Sequence, residues 1–140
     1  MNAFTWAILT AFVWGIVPLF EKAGLSKTAP LTGLFYRCIG VVIGLVLLTT
    51  FMIKPQQIKS IDLRSALFLI LGGFLASFIG QIGFYNSLKL GEVSRVVPIS
   101  GSYPLFTFLL GVLIFGESIT WVKSFGIVLI VLGIWTLKVG

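Results

Sequence analysis

The chain has 140 residues, of which 58% are hydrophobic and 10% charged, with a formal net charge of +6. No ordinary water-soluble domain of this size has that balance. A single cysteine, four carboxylates and no histidine exclude a disulfide framework, a zinc or haem site and any acid/base or nucleophile pair, so neither a cofactor nor an enzymatic activity is expected.

Charges cut the chain into long uncharged intervals, among them Met1–Phe20, Cys38–Ile53, Ala66–Leu88, Val96–Gly116 and Ser124–Leu137. A bilayer core of about 30 Å takes roughly 20 helical residues. The intervals lack the alternation of a membrane barrel, so they predict helices. The expected fold is all-α, a polytopic five-transmembrane-helix bundle in one domain, with spans at residues 4–21, 31–53, 65–88, 96–116 and 119–137.

In the first span Thr10, Trp14 and Glu21 share a face, with Pro18 beside it. No Lys or Arg precedes this span and its exit, "PLFEKAGL", has no small-x-small site, so it is expected to be retained and not cleaved as a signal peptide. The second span, "LTGLFYRCIGVVIGLVLL", places Gly33, Arg37, Gly40 and Gly44 on one helical stripe. Helices in lipid meet through small residues, so Arg37 is expected to face protein or a water-filled cavity. The third span carries Gly73, Ala76, Ser77, Gly80, Gly83 and Ser87 along one side, with Gln81 and Tyr85 one turn apart on an adjacent strip. The fourth aligns Ser100, Tyr103, Pro104, Thr107 and Gly111, and Pro104 is expected to free a carbonyl in mid-helix. The fifth offers Gly126 and Gly133, seven apart, as a contact seam. Gly40, Gly44, Gly73, Gly80, Gly126 and Gly133 are the helix-packing candidates.

Depth relates the spans to one another. Let side A be the face bearing the N-terminus and side B the other. Counted from the side B ends, Trp14, Arg37, Gln81 and Tyr103 lie roughly 9 to 12 Å inside at 1.5 Å per residue. They form one layer, a cavity lining in which these four are the substrate-binding candidates. Trp6 and Trp121 fall near side A, and Tyr36, Tyr85 and Trp135 nearer side B, as an interfacial aromatic belt requires.

The positive charge sits at span ends, where lipid head groups account for it without nucleic acid. Side A collects Lys54, Lys59, Arg64 and Lys123; side B collects Lys22, Lys27, Lys89, Arg95 and Lys138, with Arg37 nearby. The near balance leaves two readings open, insertion in both orientations or a single one set by translation order or by the small side B excess. Two copies of a five-span chain, one inverted, would reproduce the inverted repeat of many transporters.

The C-terminal half, "FYNSLKLGEVSRVVPISGSYPLFTFLLGVLIFGESITWVKSFGIVLIVLGIWTL", resembles the EamA-type repeat of the drug/metabolite transporter superfamily. The resemblance rests on Lys89, Gly91, Ser94, Pro98, Pro104, Gly116, Glu117, Gly126 and Gly133, and in the N-terminal half on Trp14, Gly15, Lys22 and Arg37. It implies a half-transporter of small organic metabolites, working as an antiparallel homodimer or with a paralogue. The chain departs from the related small multidrug resistance proteins, whose first helix embeds a glutamate; at that depth it has Thr10 and Trp14, while Glu21 stands at the exit. Proton antiport through a buried carboxylate is therefore not expected, and Arg37 favours an anionic or zwitterionic ligand.

The leading expectation is a secondary transporter of the cell membrane with alternating access. Glu21, Lys22 and Glu117 are its gating or helix-end candidates, ordinary interfacial charges being the competing reading. The alternative function is a non-transporting membrane assembly subunit of a larger complex. No nucleotide-binding loop is present, so direct ATP coupling is not expected.

Overall fold

The computed structural model describes residues 2–139, which are mostly helical, with no strand among them. Five helical segments are long and apolar enough to cross a bilayer: Ala3–Leu25, Pro30–Met52, Leu63–Leu90, Val93–Phe115 and Trp121–Val139. The chain is thus a multi-pass membrane protein. The first, third and fifth spans run past the uncharged intervals because Lys22, Lys89 and Lys138 occupy their last turns.

The first span is one helix, α1 (Ala3–Leu25), started by Asn2, whose side chain accepts from the Thr5 N–H at 2.9 Å. Helix α2 (Pro30–Leu47) starts with Pro30 in its first turn, where no amide hydrogen is needed. It runs into a wider π turn, Leu48–Met52, where the Thr49 hydroxyl donates back to the carbonyls of Leu45 and Val46 at 2.9 and 3.0 Å. A short helix that the sequence did not announce, α3 (Pro55–Lys59), bridges to the third span. That span is divided into α4 (Leu63–Phe74), a second π turn at Leu75–Ile79, and α5 (Gly80–Leu90).

The fourth span is broken. Helix α6 (Val93–Ser100) ends at Gly101, and α7 (Tyr103–Phe115) begins two residues later. Pro104 therefore lies in the first turn of α7, not in mid-helix as expected, and its missing N–H falls where a helix has no internal acceptor to lose. The turn is closed by the Ser102 hydroxyl and N–H, which both donate to the Ile99 carbonyl at 2.6 and 3.2 Å. Gly116 ends α7 in the left-handed region, φ 64°, which a side chain would resist. The last span is α8 (Trp121–Val139).

By its contacts the chain divides into two compact units, residues 1–90 and 91–140. In the second, α8 packs on both α6 and α7. In the first, α1, α2 and α5 pack on one another, and the core collects where α1 and α5 end and α2 begins: Leu25, Leu34, Tyr85 and Leu88 are buried there. The ends of α1 and α5 are tied by exchanged lysines. Lys22 of α1 donates to the Leu88 carbonyl of α5, and Lys89 of α5 donates to the carbonyls of Leu25 and Ser26 at 2.5 and 3.1 Å. Each ammonium thus meets the partial negative charge of the other helix's C-terminus.

Candidate functional site

At this knitted end of the first unit the α1 carboxylate of Glu21 gathers three donors on one oxygen. Arg37 Nε of α2 lies 3.3 Å from Glu21 Oε1, Gln81 Nε2 of α5 lies 3.2 Å from it, and the Tyr85 hydroxyl lies 3.0 Å from it. The helical spacing explains the geometry, since Gln81 and Tyr85 are one turn apart on the face of α5 that meets α1. The π turn supplies the remaining contact: the Ser77 carbonyl accepts from Arg37 Nη1 at 3.4 Å.

The Glu21 side chain is only 9% exposed and that of Arg37 28%. Arg37 faces protein, as its place on the glycine stripe predicts. Glu21 is deeper than its position near the helix exit suggests; it is the hub of the cluster and not a solvated interfacial charge. Its second oxygen, Oε2, is out of contact with solvent and accepts no hydrogen bond among the described residues. Removing one partner of such a pair leaves the other's charge without its nearest counter-charge.

Next to the cluster is an open groove of about 520 Å³ between α1 and α2, lined by Phe20, Thr28 and Tyr36 together with Glu21, Arg37 and Tyr85 of the cluster. It is mostly apolar with a few convergent polar groups, the usual make-up of a small-molecule site, and its volume falls within the usual range.

Of the four residues expected in one layer, Arg37 and Gln81 meet at Glu21. Trp14 lies two turns before Glu21 on α1 and is 63% exposed; Tyr103 is the first residue of α7 in the second unit and is 57% exposed. Lys22 caps α5. Glu117 follows α7, its side chain folded over Gly111 and 3.7 Å from Lys123 Nζ. Around Gly40, Gly44, Gly73, Gly126 and Gly133 a Cβ would meet no atom of the described chain within 4 Å, and at Gly80 it would meet only the Leu75 carbonyl of the adjoining π turn. The close approach in the first unit is at Gly33 instead, where a Cβ would stand 2.7 Å from Leu25 Cδ2 and 3.3 Å from Tyr85 Cε2.

Tyr85 corrects the aromatic-belt reading. It is 3% exposed and hydrogen-bonded to Glu21, so it belongs to the cluster and not to the lipid interface. The sequence held one signal for it, its spacing of four from Gln81.

The sequence pattern of EamA-like transporters matches residues 1–138. The chain belongs to the EamA-like transporter family. That family is one of membrane transporters. An uncharacterized transporter of a Sinorhizobium species is 28% identical over 96% of this chain and 94% of its own length. An uncharacterized protein of Methanocaldococcus jannaschii is 28% identical over 94% of this chain and 93% of its own. An uncharacterized transporter of Archaeoglobus fulgidus is 26% identical over 81% of this chain, which spans 40% of that relative's length. No solved structure matches significantly.

Proposed function

We propose that the chain is a half-transporter, two copies of which, one inverted in the membrane, carry a small organic metabolite across the cytoplasmic membrane by alternating access. The observation that carries this reading is the partly buried Glu21–Arg37 pair, its carboxylate also bonded by Gln81 and Tyr85 where three helices meet, in the lining of a groove large enough for a metabolite. Ionisable groups inside a membrane are costly and are kept where they act on a ligand or a pathway.

Three further facts support the pairing. The same unit fills nearly the whole of the Sinorhizobium relative and about two fifths of the Archaeoglobus one, so it is used both singly and within longer chains. The lysines and arginines are almost evenly divided between the two faces. The glycine positions 40, 44 and 73 are open on the first unit, and 126 and 133 on the second, where an antiparallel copy or a paralogue would supply the missing neighbours. Trp14 and Tyr103, exposed in the single chain, are then assigned to lining across that pair. Because Arg37 is already paired with Glu21, a zwitterion fits the groove better than a simple anion.

The glycine faces also favour the second reading, a non-transporting assembly subunit. Counterflow into proteoliposomes, run with a panel of small anionic, zwitterionic and uncharged metabolites, separates the two. The transporter reading expects flux of at least one compound and its loss on Arg37→Ala. Absence of flux for every compound, or full flux after Arg37→Ala, would overturn it. The subunit reading expects stable partner capture and indifference to changes at Trp14 and Tyr103.

A further inference from the structure

We infer that Glu21 sets the charge selectivity of the α1/α2 groove, cancelling Arg37 so that the site selects molecules with no net charge. The inference rests on the preceding reading that the groove takes the carried molecule. Among its lining residues the charged ones are Glu21 and Arg37, and their nearest atoms are 3.3 Å apart, so the wall is a neutral pair. The rest of the lining is mostly aliphatic or aromatic, with Phe20 and Tyr36 prominent.

An ion entering such a groove loses hydration and gains no compensating net attraction. A molecule with no net charge loses less on entering beside the neutral pair, the partly exposed guanidinium of Arg37 can still donate to an acceptor on it, and an apolar body suits the remaining wall. Glu21 is the residue that makes the difference, since its charge is matched at Oε1 by Arg37 while Oε2 has neither solvent nor a hydrogen-bond partner among the described residues. Glu21→Gln preserves the shape and an oxygen to accept from Tyr85, but it leaves Arg37 uncompensated, so the groove becomes an anion site. Arg37→Gln does the reverse and favours cations.

The test is equilibrium dialysis of the purified full chain against three probes on a phenylalkyl skeleton: 3-phenylpropanoate, the phenylalanine zwitterion and 2-phenylethylammonium. The wild type is expected to prefer the zwitterion. Glu21→Gln should raise relative binding of 3-phenylpropanoate roughly tenfold, the scale of one unit charge facing another across a partly solvated groove. Arg37→Gln should raise that of 2-phenylethylammonium by a similar factor, and the double variant should return to the wild-type order. A purely structural role for Glu21 predicts that all three probes weaken in proportion. That outcome, or an order unmoved by either substitution, overturns the selectivity inference while leaving the groove as a site. Binding of no probe to any chain overturns the groove reading with it. Should Glu21→Gln fail to fold, Arg37→Gln carries the same test with the opposite sign.

Discussion

Gly33 stands where α1, α2 and α5 come closest, and its missing side chain is what lets buried Leu25 and Tyr85 lie against α2. Adding atoms there forces both out of their rotamers, so Gly33→Val is expected to destabilise the first unit by about 1–3 kcal/mol. Gly40→Ala on the same stripe meets open space within the chain and should be neutral or gain up to about 1 kcal/mol from helix propensity. Denaturant unfolding in detergent, at a dilution where copies do not associate, checks the contrast. The stripe itself was legible in the sequence, because Gly33, Arg37, Gly40 and Gly44 repeat at helical spacing and a charge among glycines in lipid must turn inward. Which glycine makes the contact was not legible, since that depends on side chains of two other helices. The same holds for Glu21. Its place in the last turns of α1 argues for exposure, and only the arrival of Arg37, Gln81 and Tyr85 from elsewhere buries it.

At the scale of elements, all five spans could be read from hydropathy, while their interruptions could not. A uniform 3.6-residue period continues one face along the third span; the π turn at Leu75–Ile79 inserts an extra residue and gives α4 and α5 different faces. Helix α5 is held by α1 and α2, whereas α4 contributes little to that packing. Deleting Ala76 should therefore turn α4 by about 100° relative to α5, leave the contacts to Glu21 in place, and cost the Ser77 carbonyl contact to Arg37, a loss of about 0.5–1.5 kcal/mol. A collapse of the fold would contradict this division of labour.

The start of α4 gives a prediction in pH. The Asp62 carboxylate accepts from the Ser65 N–H at 2.9 Å, which holds its pKa below the ordinary aspartate value. A depressed folded-state pKa contributes stability that is fully present above the unfolded value of about 3.9 and is lost as pH falls through the lower folded value. The stability gap between the wild type and Asp62→Asn should accordingly close on acidification across that window and stay flat above about pH 5. A gap that widened toward acid would contradict the capping role.

For the whole molecule, the first unit is tied at one end by the exchanged lysines, the Leu25–Leu88 core and the Glu21 cluster, while most of its large apolar side chains elsewhere are exposed. The groove lies beside that tied end. Composition and charge placement were enough to identify a polytopic membrane chain, and the order of Gly, Pro and Lys positions was enough to suggest its family. The groove was not readable at that scale, because it is made by the spacing between helices.

The most direct measurement is protection of a thiol placed in the groove. Gly24 lines it and has room for a side chain, and Cys38 is the chain's single native cysteine, so Gly24→Cys in a Cys38→Ser background gives one reporter. A compound carried in the flux assay is predicted to slow maleimide labelling of that thiol in a saturable way, with half-protection near the concentration that half-saturates transport. Labelling that proceeds at an unchanged rate at saturating compound would contradict the assignment of this groove to the carried molecule.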